Sequence, residues 1–133
     1  MSLDPNVRAF LKERRFAVLA TINDDGSPQL TVMWYLLRDD AIILNTTRSR
    51  VKGRNLQRDP RISICVEDGY RFVSVAGAAT LEDDQRVAQA DIRELAIRYD
   101  GQEEGEQQMA EFGRQQRITI RLPLSHVIAR GFE

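Results

Sequence analysis

Between Asn45 and Leu56 the chain reads Asn45-Thr46-Thr47-Arg48-Ser49-Arg50-Val51-Lys52-Gly53-Arg54-Asn55-Leu56, and Arg58 and Arg61 follow with only Asp59 against them. A strand over Ala41 to Leu44 runs into two threonine hydroxyls, and basic residues then alternate at 48, 50, 52 and 54. Hydroxyls, backbone N–H groups at a strand-to-helix turn, and Arg/Lys side chains together suit a phosphate. The plainer reading is a solvated, positively charged helix start. Against it stands the helix dipole, which makes cations at an N-terminus unfavourable unless something negative sits there. Since the whole chain carries a net charge of only −1, this excess is local.

Other chemistry-bearing residues are sparse. The single His126 rules out a multi-histidine metal site within one chain, and we expect no metal. Cys65 shares a strand face with Arg61 and Ser63, has no base near it in sequence, and reads as packing. Asp24-Asp25 and Asp39-Asp40 resemble paired carboxylates, but turn chemistry explains both. Ser63 and Ser74 lack a nucleophile motif such as Gly-x-Ser-x-Gly. We therefore assign no catalytic residue. That shortage fits a protein whose chemistry is carried by a cofactor, with the chain supplying orientation and exclusion of water. A proton would come from water or from Tyr35.

A length of 133 residues implies one domain over 1–133, with an ordinary hydrophobic content of 42% and charge content of 29%. Near-neutrality and the lack of interleaved aromatics argue against a nucleic-acid partner. No apolar run reaches the about 18 residues of a membrane span, so no membrane partner is expected. One cysteine, and a start at Met1-Ser2-Leu3-Asp4-Pro5 without a basic-then-apolar signal pattern, lead us to expect a cytoplasmic protein.

The elements that must position these residues follow from periodicity. Asp4 caps a short helix opened by Pro5, with Val7, Phe10 and Leu11 on its apolar stripe. Strands are predicted over 16–22 and 29–37, joined by Asp24-Asp25-Gly26, and Arg38-Asp39-Asp40 turns the chain into 41–44. A short helix spans 51–58 and stops at Asp59-Pro60. Strands follow over 61–67 and 72–81, the second bent by Gly77, Ala78 and Ala79. A longer helix starts near Asp83-Asp84, buries Ala88, Ile92, Leu95 and Tyr99, and ends at Asp100-Gly101. The polar, acidic stretch 102–108 is predicted to be a mobile loop, with a further helical turn anchored by Met109 and Phe112. Strands over 118–122 and 126–129 close the chain. Six or seven short antiparallel strands with few helices predict a mainly β protein built as a small barrel. A six-stranded barrel is filled by side chains, so a ligand must bind outside, where two copies meet.

These blocks resemble the split-barrel flavin-binding superfamily that includes pyridoxamine 5′-phosphate oxidase, and within it the branch of deazaflavin (coenzyme F420)-dependent reductases. The resemblance rests on Leu19-Ala20-Thr21-Ile22 before Asp25-Gly26, and on Pro28-Gln29-Leu30-Thr31-Val32-Met33-Trp34-Tyr35. It continues through Asn45-Thr46-Thr47, Arg50 to Leu56, Asp59-Pro60-Arg61 and Leu122-Pro123-Leu124-Ser125-His126-Val127, in the same order and spacing. It implies a six-stranded antiparallel split β-barrel, homodimeric, with a cofactor site at the interface and a small-molecule substrate. The implied cofactor is F420, with FMN as the alternative. Thr31, Val32, Met33 and Trp34 would lie beside the ring, partly through backbone, and Asn45, Thr46 and Thr47 would bond ring or ribityl oxygens. Arg50, Lys52 and Asn55 would hold the phosphate, and Tyr70 and Arg71 would reach in from the partner. The resemblance leaves open an FMN oxidoreductase and a non-catalytic carrier. The chain ends Arg130-Gly131-Phe132-Glu133 without an Arg-x-His motif, and it lacks an Arg-x-Val-Leu run before the phosphate segment, which argues against pyridoxamine phosphate as substrate. Clustering of Arg48, Arg50, Lys52, Arg54 and Arg58 favours F420, whose phosphate carries a polyglutamate tail.

Overall fold

The computed structural model describes residues 3–133; Met1 and Ser2, the first residues of the start inspected for a signal pattern, lie outside it. Helix α1 (Pro5–Lys12) begins as its sequence requires: the Asp4 carboxylate accepts the N–H of Asn6 at 2.7 Å, and Pro5 fills the first helical position. Val7, Phe10 and Leu11 go into the core, so the helix closes one end of the β structure.

Among the described residues, nine antiparallel strands form two sheets. In the first, β1 (Ala17–Ile22), β2 (Pro28–Met33), β5 (Arg61–Glu67), β6 (Phe72–Ala78) and β9 (His126–Arg130) lie in the order β2-β1-β5-β6-β9. In the second, β3 (Leu36–Arg38), β4 (Ala41–Thr47), β7 (Thr80–Glu82) and β8 (Arg117–Pro123) lie in the order β3-β4-β8-β7. The count exceeds the expected six or seven because two runs cross between sheets. The stretch predicted as one strand over 29–37 breaks at Trp34-Tyr35, and 72–81 breaks at buried Ala79, next to the small residues that foretold a bend. No continuous ladder joins the two sheets into the closed six-stranded barrel that was expected.

The first break has a specific clamp. Tyr99 from helix α3 (Gln85–Asp100) accepts the N–H of Tyr35 at 3.1 Å and donates to the Tyr35 carbonyl at 3.0 Å, so its hydroxyl replaces the missing sheet partner. Tyr35 itself is fully buried and donates its hydroxyl to the Leu11 carbonyl at 2.9 Å. Burial, followed by the neighbouring Tyr99, pushes its pKa up to about 12. The proposal of Tyr35 as a proton source for substrate is therefore corrected: the group is locked in the core.

Helix α4 (Gln102–Phe112) corrects a second expectation, since 102–108 was read as a loop. Its composition is polar because most of it faces water, and its one buried position is Gly105. A Cβ there would lie 2.7 Å from the Ile97 backbone nitrogen, so glycine lets α4 pack directly on α3. The α3–α4 pair covers the second sheet: Ile92 and Leu95 pack on Leu36, Ala41 and Ile43, with Trp34, Met109 and Phe112 at the margin. Strand β4 is consequently buried on both faces along its whole length, its polar Asn45, Thr46 and Thr47 included.

Candidate functional site

Helix α2 (Val51–Arg58) follows β4 immediately. Its N-cap residue, Arg50, makes no side-chain capping bond, and the first turn holds no acidic residue. Gly53 seats this turn against the end of β4: a Cβ would fall 2.2 Å from the Thr47 carbonyl oxygen. The arrangement presents Arg50 in the open and draws Lys52 down to 9% exposure. Burial first, then Arg50 and Arg117, push the Lys52 pKa down.

Arg117, at the start of β8, was missed by the sequence reading, which began that strand at residue 118. It pairs with Thr47 across the ladder and is only 3% exposed. Its Nε donates to Asn45 Oδ1 at 2.9 Å, a second nitrogen donates to Gln115 Oε1, and its guanidinium stacks 4.9 Å from the Phe112 ring centroid. Burial, followed by Arg50, pushes its pKa down to about 10, with Glu111 opposing. Arg50, Lys52 and Arg117 thus form a group of mutually repelling cations, and none has a carboxylate within ion-pair distance among the described residues. A buried charge in this condition is costly until an anion joins it. The site therefore fits a phosphate-bearing group.

Three of the other basic residues of the segment are already engaged. Arg48 pairs with Asp83 at 2.8 Å and donates to Gln57, while Arg58 pairs with Asp24 at 2.9 Å and donates to Asn55. Arg61 pairs with Asp59. Arg50 and Arg54 make no such pair among the described residues.

A cavity of about 220 Å³ opens beside this cluster, lined by Val32, Met33, Trp34, Asn45, Arg50, Ile92, Leu95, Phe112 and Arg117. It brings together, from the expected site residues, Val32, Met33, Trp34, Asn45 and Arg50. Strand β2 is the edge of its sheet, so one side of its backbone between Thr31 and Met33 is unpaired, and the Thr31 hydroxyl has no partner. Met33 points into the core, whereas Trp34 stacks on Tyr99 with centroids 5.3 Å apart and planes at 8°.

Asn45 and Asn55 are committed within the chain. The Asn45 amide donates to the Ala88 carbonyl and Thr119 Oγ1, and its oxygen accepts from Arg117. Asn55 donates to Thr21 Oγ1 and Asn23 Oδ1, both at 3.0 Å, and accepts from Arg58. Thr46 is fully buried with its Oγ1 unpaired, and Thr47 is buried beside it. Tyr70 and Arg71 lie at the β5–β6 turn and do not line the cavity. Tyr70 is 94% exposed, while Arg71 is held by Asp68 at 2.7 Å and lies over the Phe10 and Phe132 rings. Cys65 is half-buried on the outer sheet face, and burial followed by Glu67 pushes its thiol pKa up, which disfavours the thiolate. His126 is exposed at the start of β9.

Comparison with known proteins gives a family and several structural neighbours. The chain is 28% identical over 99 residues to the F420H(2)-dependent biliverdin reductase of Mycobacterium tuberculosis (strain CDC 1551 / Oshkosh), an alignment covering 73% of this chain and 69% of that protein. Among solved structures, a conserved hypothetical protein from Mycobacterium tuberculosis superposes with a TM-score of 0.77 at 29% identity, covering 97% of this chain and 84% of that one. A structure described as an F420 reductase superposes with a TM-score of 0.76 at 23% identity, covering 95% and 98%, and supports the fold alone. The family model for pyridoxamine 5′-phosphate oxidase matches residues 3–123. With nearly the whole chain inside that match, this protein belongs to the pyridoxamine 5′-phosphate oxidase family.

Proposed function

We propose that this chain is an oxidoreductase that uses reduced coenzyme F420 to deliver hydride to a small, unsaturated organic acceptor. The observation that carries the reading is the uncompensated cation group Arg50, Lys52 and Arg117, set beside an edge strand and an apolar cavity. When bound, the reduced deazaflavin supplies the hydride. Arg50 and Lys52 hold its phosphate, the free edge of β2 from Thr31 to Met33 and Trp34 just beyond it orient its ring, and Ile92, Leu95 and Phe112 exclude water. Buried Asn45 and Asn55 keep β4 and α2 in place rather than donating outward. With Tyr35 locked, water supplies the proton.

F420 is favoured over FMN by the open Arg50 and Arg54, which suit the carboxylates of a polyglutamate tail; Arg48 and Arg58, once expected there, are engaged by Asp83 and Asp24. Exposed pairs each contribute under about 1 kcal/mol and fade with salt. Titration followed by cofactor fluorescence should show tighter binding of F420 than of FMN at low ionic strength, narrowing as salt rises. Equal or tighter FMN binding at every salt concentration would hand the site to FMN.

The working unit in this reading is a homodimer. On the outer face of the five-stranded sheet, Val32, Val18, Cys65, Ser74 and Ile128 fall in one cross-strand row. Val32, Ile128 and Val18 in that row are exposed by 67%, 54% and 39%, with Leu30 adjacent at 63%. Among the described residues no helix covers these side chains, and a second copy would bury them and bring Tyr70 towards the neighbouring site. Light scattering at micromolar concentration should give twice the mass of one chain. A monomer that still binds cofactor tightly refutes the two-chain site.

A further inference from the structure

Arg117 is held more firmly than an anion anchor on a surface helix would be, and its surroundings differ from those of Arg50 and Lys52. Its Nε and one terminal nitrogen are fixed by Asn45 and Gln115, and its face is fixed by Phe112. The remaining terminal nitrogen, Nη2, donates to no acceptor among the described residues. The cavity that this guanidinium lines is otherwise walled largely by Val32, Met33, Trp34, Ile92, Leu95 and Phe112, and it contains no carboxylate. A phosphate is best served by several N–H donors, as at the start of α2. One pre-oriented guanidinium in an apolar wall suits a single planar oxyanion on an apolar body.

We propose that this cavity binds the electron acceptor, that the acceptor is an unsaturated carboxylic acid, and that its carboxylate pairs with Arg117. The apolar part of the acid lies against Ile92, Leu95 and Phe112, which places its unsaturated carbons towards Trp34 and the edge of β2. Arg50, open at the cavity mouth, adds attraction for the incoming anion but is exposed to solvent and weaker. The assignment rests on the reductase reading for the word acceptor, but the acid-binding site stands on its own geometry.

Trp34, the only tryptophan in the chain, lines the cavity and reports on its contents. The probe is cyclohex-1-ene-1-carboxylate, compared with its neutral amide, titrated against the cofactor-free protein with Trp34 fluorescence as readout. The acid should bind at least about tenfold more tightly than the amide, the scale of a charge-assisted hydrogen bond. Arg117→Gln should erase that difference, and Arg117→Lys should keep part of it. Melting curves establish that each variant is folded; if Arg117→Gln is not, the acid–amide difference in the wild type and its reduction in Arg117→Lys decide the matter. Equal binding of acid and amide, binding of neither, or discrimination that survives Arg117→Gln would each overturn the proposal. So would displacement of the acid by inorganic phosphate or by F420, since the charge would then belong to the cofactor. F420 binding measured on the same samples separates the two claims: loss of F420 binding with the acid preference intact sinks only the reductase reading.

Discussion

Alanine at position 53 should lower the melting temperature by roughly 5–10 °C and weaken cofactor binding with it. In a helix interior alanine is favoured over glycine by about 1 kcal/mol, so local propensity alone predicts the opposite sign. Sterics decide the outcome: the added methyl would stand 2.2 Å from the Thr47 carbonyl and 3.2 Å from that of Arg48, both of them backbone. Overpacking against groups that cannot rotate away costs about 3 kcal/mol, at the upper end for such insertions, leaving a net loss of about 2 kcal/mol. For a chain of this size each kcal/mol is roughly 2–8 °C. Relief comes only by lifting α2 off β4, which also moves Lys52 and Arg50. Calorimetry of Gly53→Ala beside Arg54→Ala, an exposed neighbour, checks this; equal melting temperatures for the two variants would refute the close approach.

The largest effect on function is expected from Arg50→Ala and Lys52→Ala. Each should weaken F420 binding about tenfold to a hundredfold, because hydrogen bonds to a charged group contribute roughly 1.5–3 kcal/mol. Their effect on the cofactor-free protein should be the reverse of ordinary core damage. Lys52 is desolvated beside two other cations, so removing its charge relieves repulsion and leaves apo stability unchanged or higher. Isothermal titration paired with melting curves measures both. A fall in apo stability with affinity intact would make these residues structural and remove the anion site.

The parts of this fold legible in the sequence were those in which local chemistry and tertiary environment agree. Asp4-Pro5 caps a helix wherever it is placed, and the alternation of Arg61 to Glu67 marks a half-buried strand without knowledge of its partners. The failures came where a distant residue decides. Whether 29–37 continues as one strand depends on Tyr99, more than sixty residues away, supplying a hydroxyl at Tyr35. Whether 102–108 is a helix depends on Gly105 finding Ile97. In the site, the basic segment was visible as composition, but composition could not distinguish Arg48 and Arg58, neutralised by Asp83 and Asp24, from Arg50, which is not. Arg117 carried no signal: a lone arginine at a strand start is ordinary until Thr47 is known to lie opposite it.

The α3–α4 pair lies wholly between β7 and β8, two strands that are hydrogen-bonded neighbours with Glu82 opposite Thr119. The helical pair is thus a cassette inserted between two paired strands, tied to the rest of the fold by the Tyr99 hydroxyl at Tyr35 and by Ile92 and Leu95 on the second sheet. Ile92, Leu95 and Phe112 belong to the cassette, while β2, β4 and the start of α2 belong to the framework. Drift, exchange or redesign of residues 83–116 can remodel the apolar half of the cavity, and with it the seat of Arg117 on Phe112 and Gln115, while Arg50 and Lys52 stay where they are. In the proposed reading, the surroundings of the acceptor can therefore change while Arg50 and Lys52 keep their hold on the cofactor's phosphate.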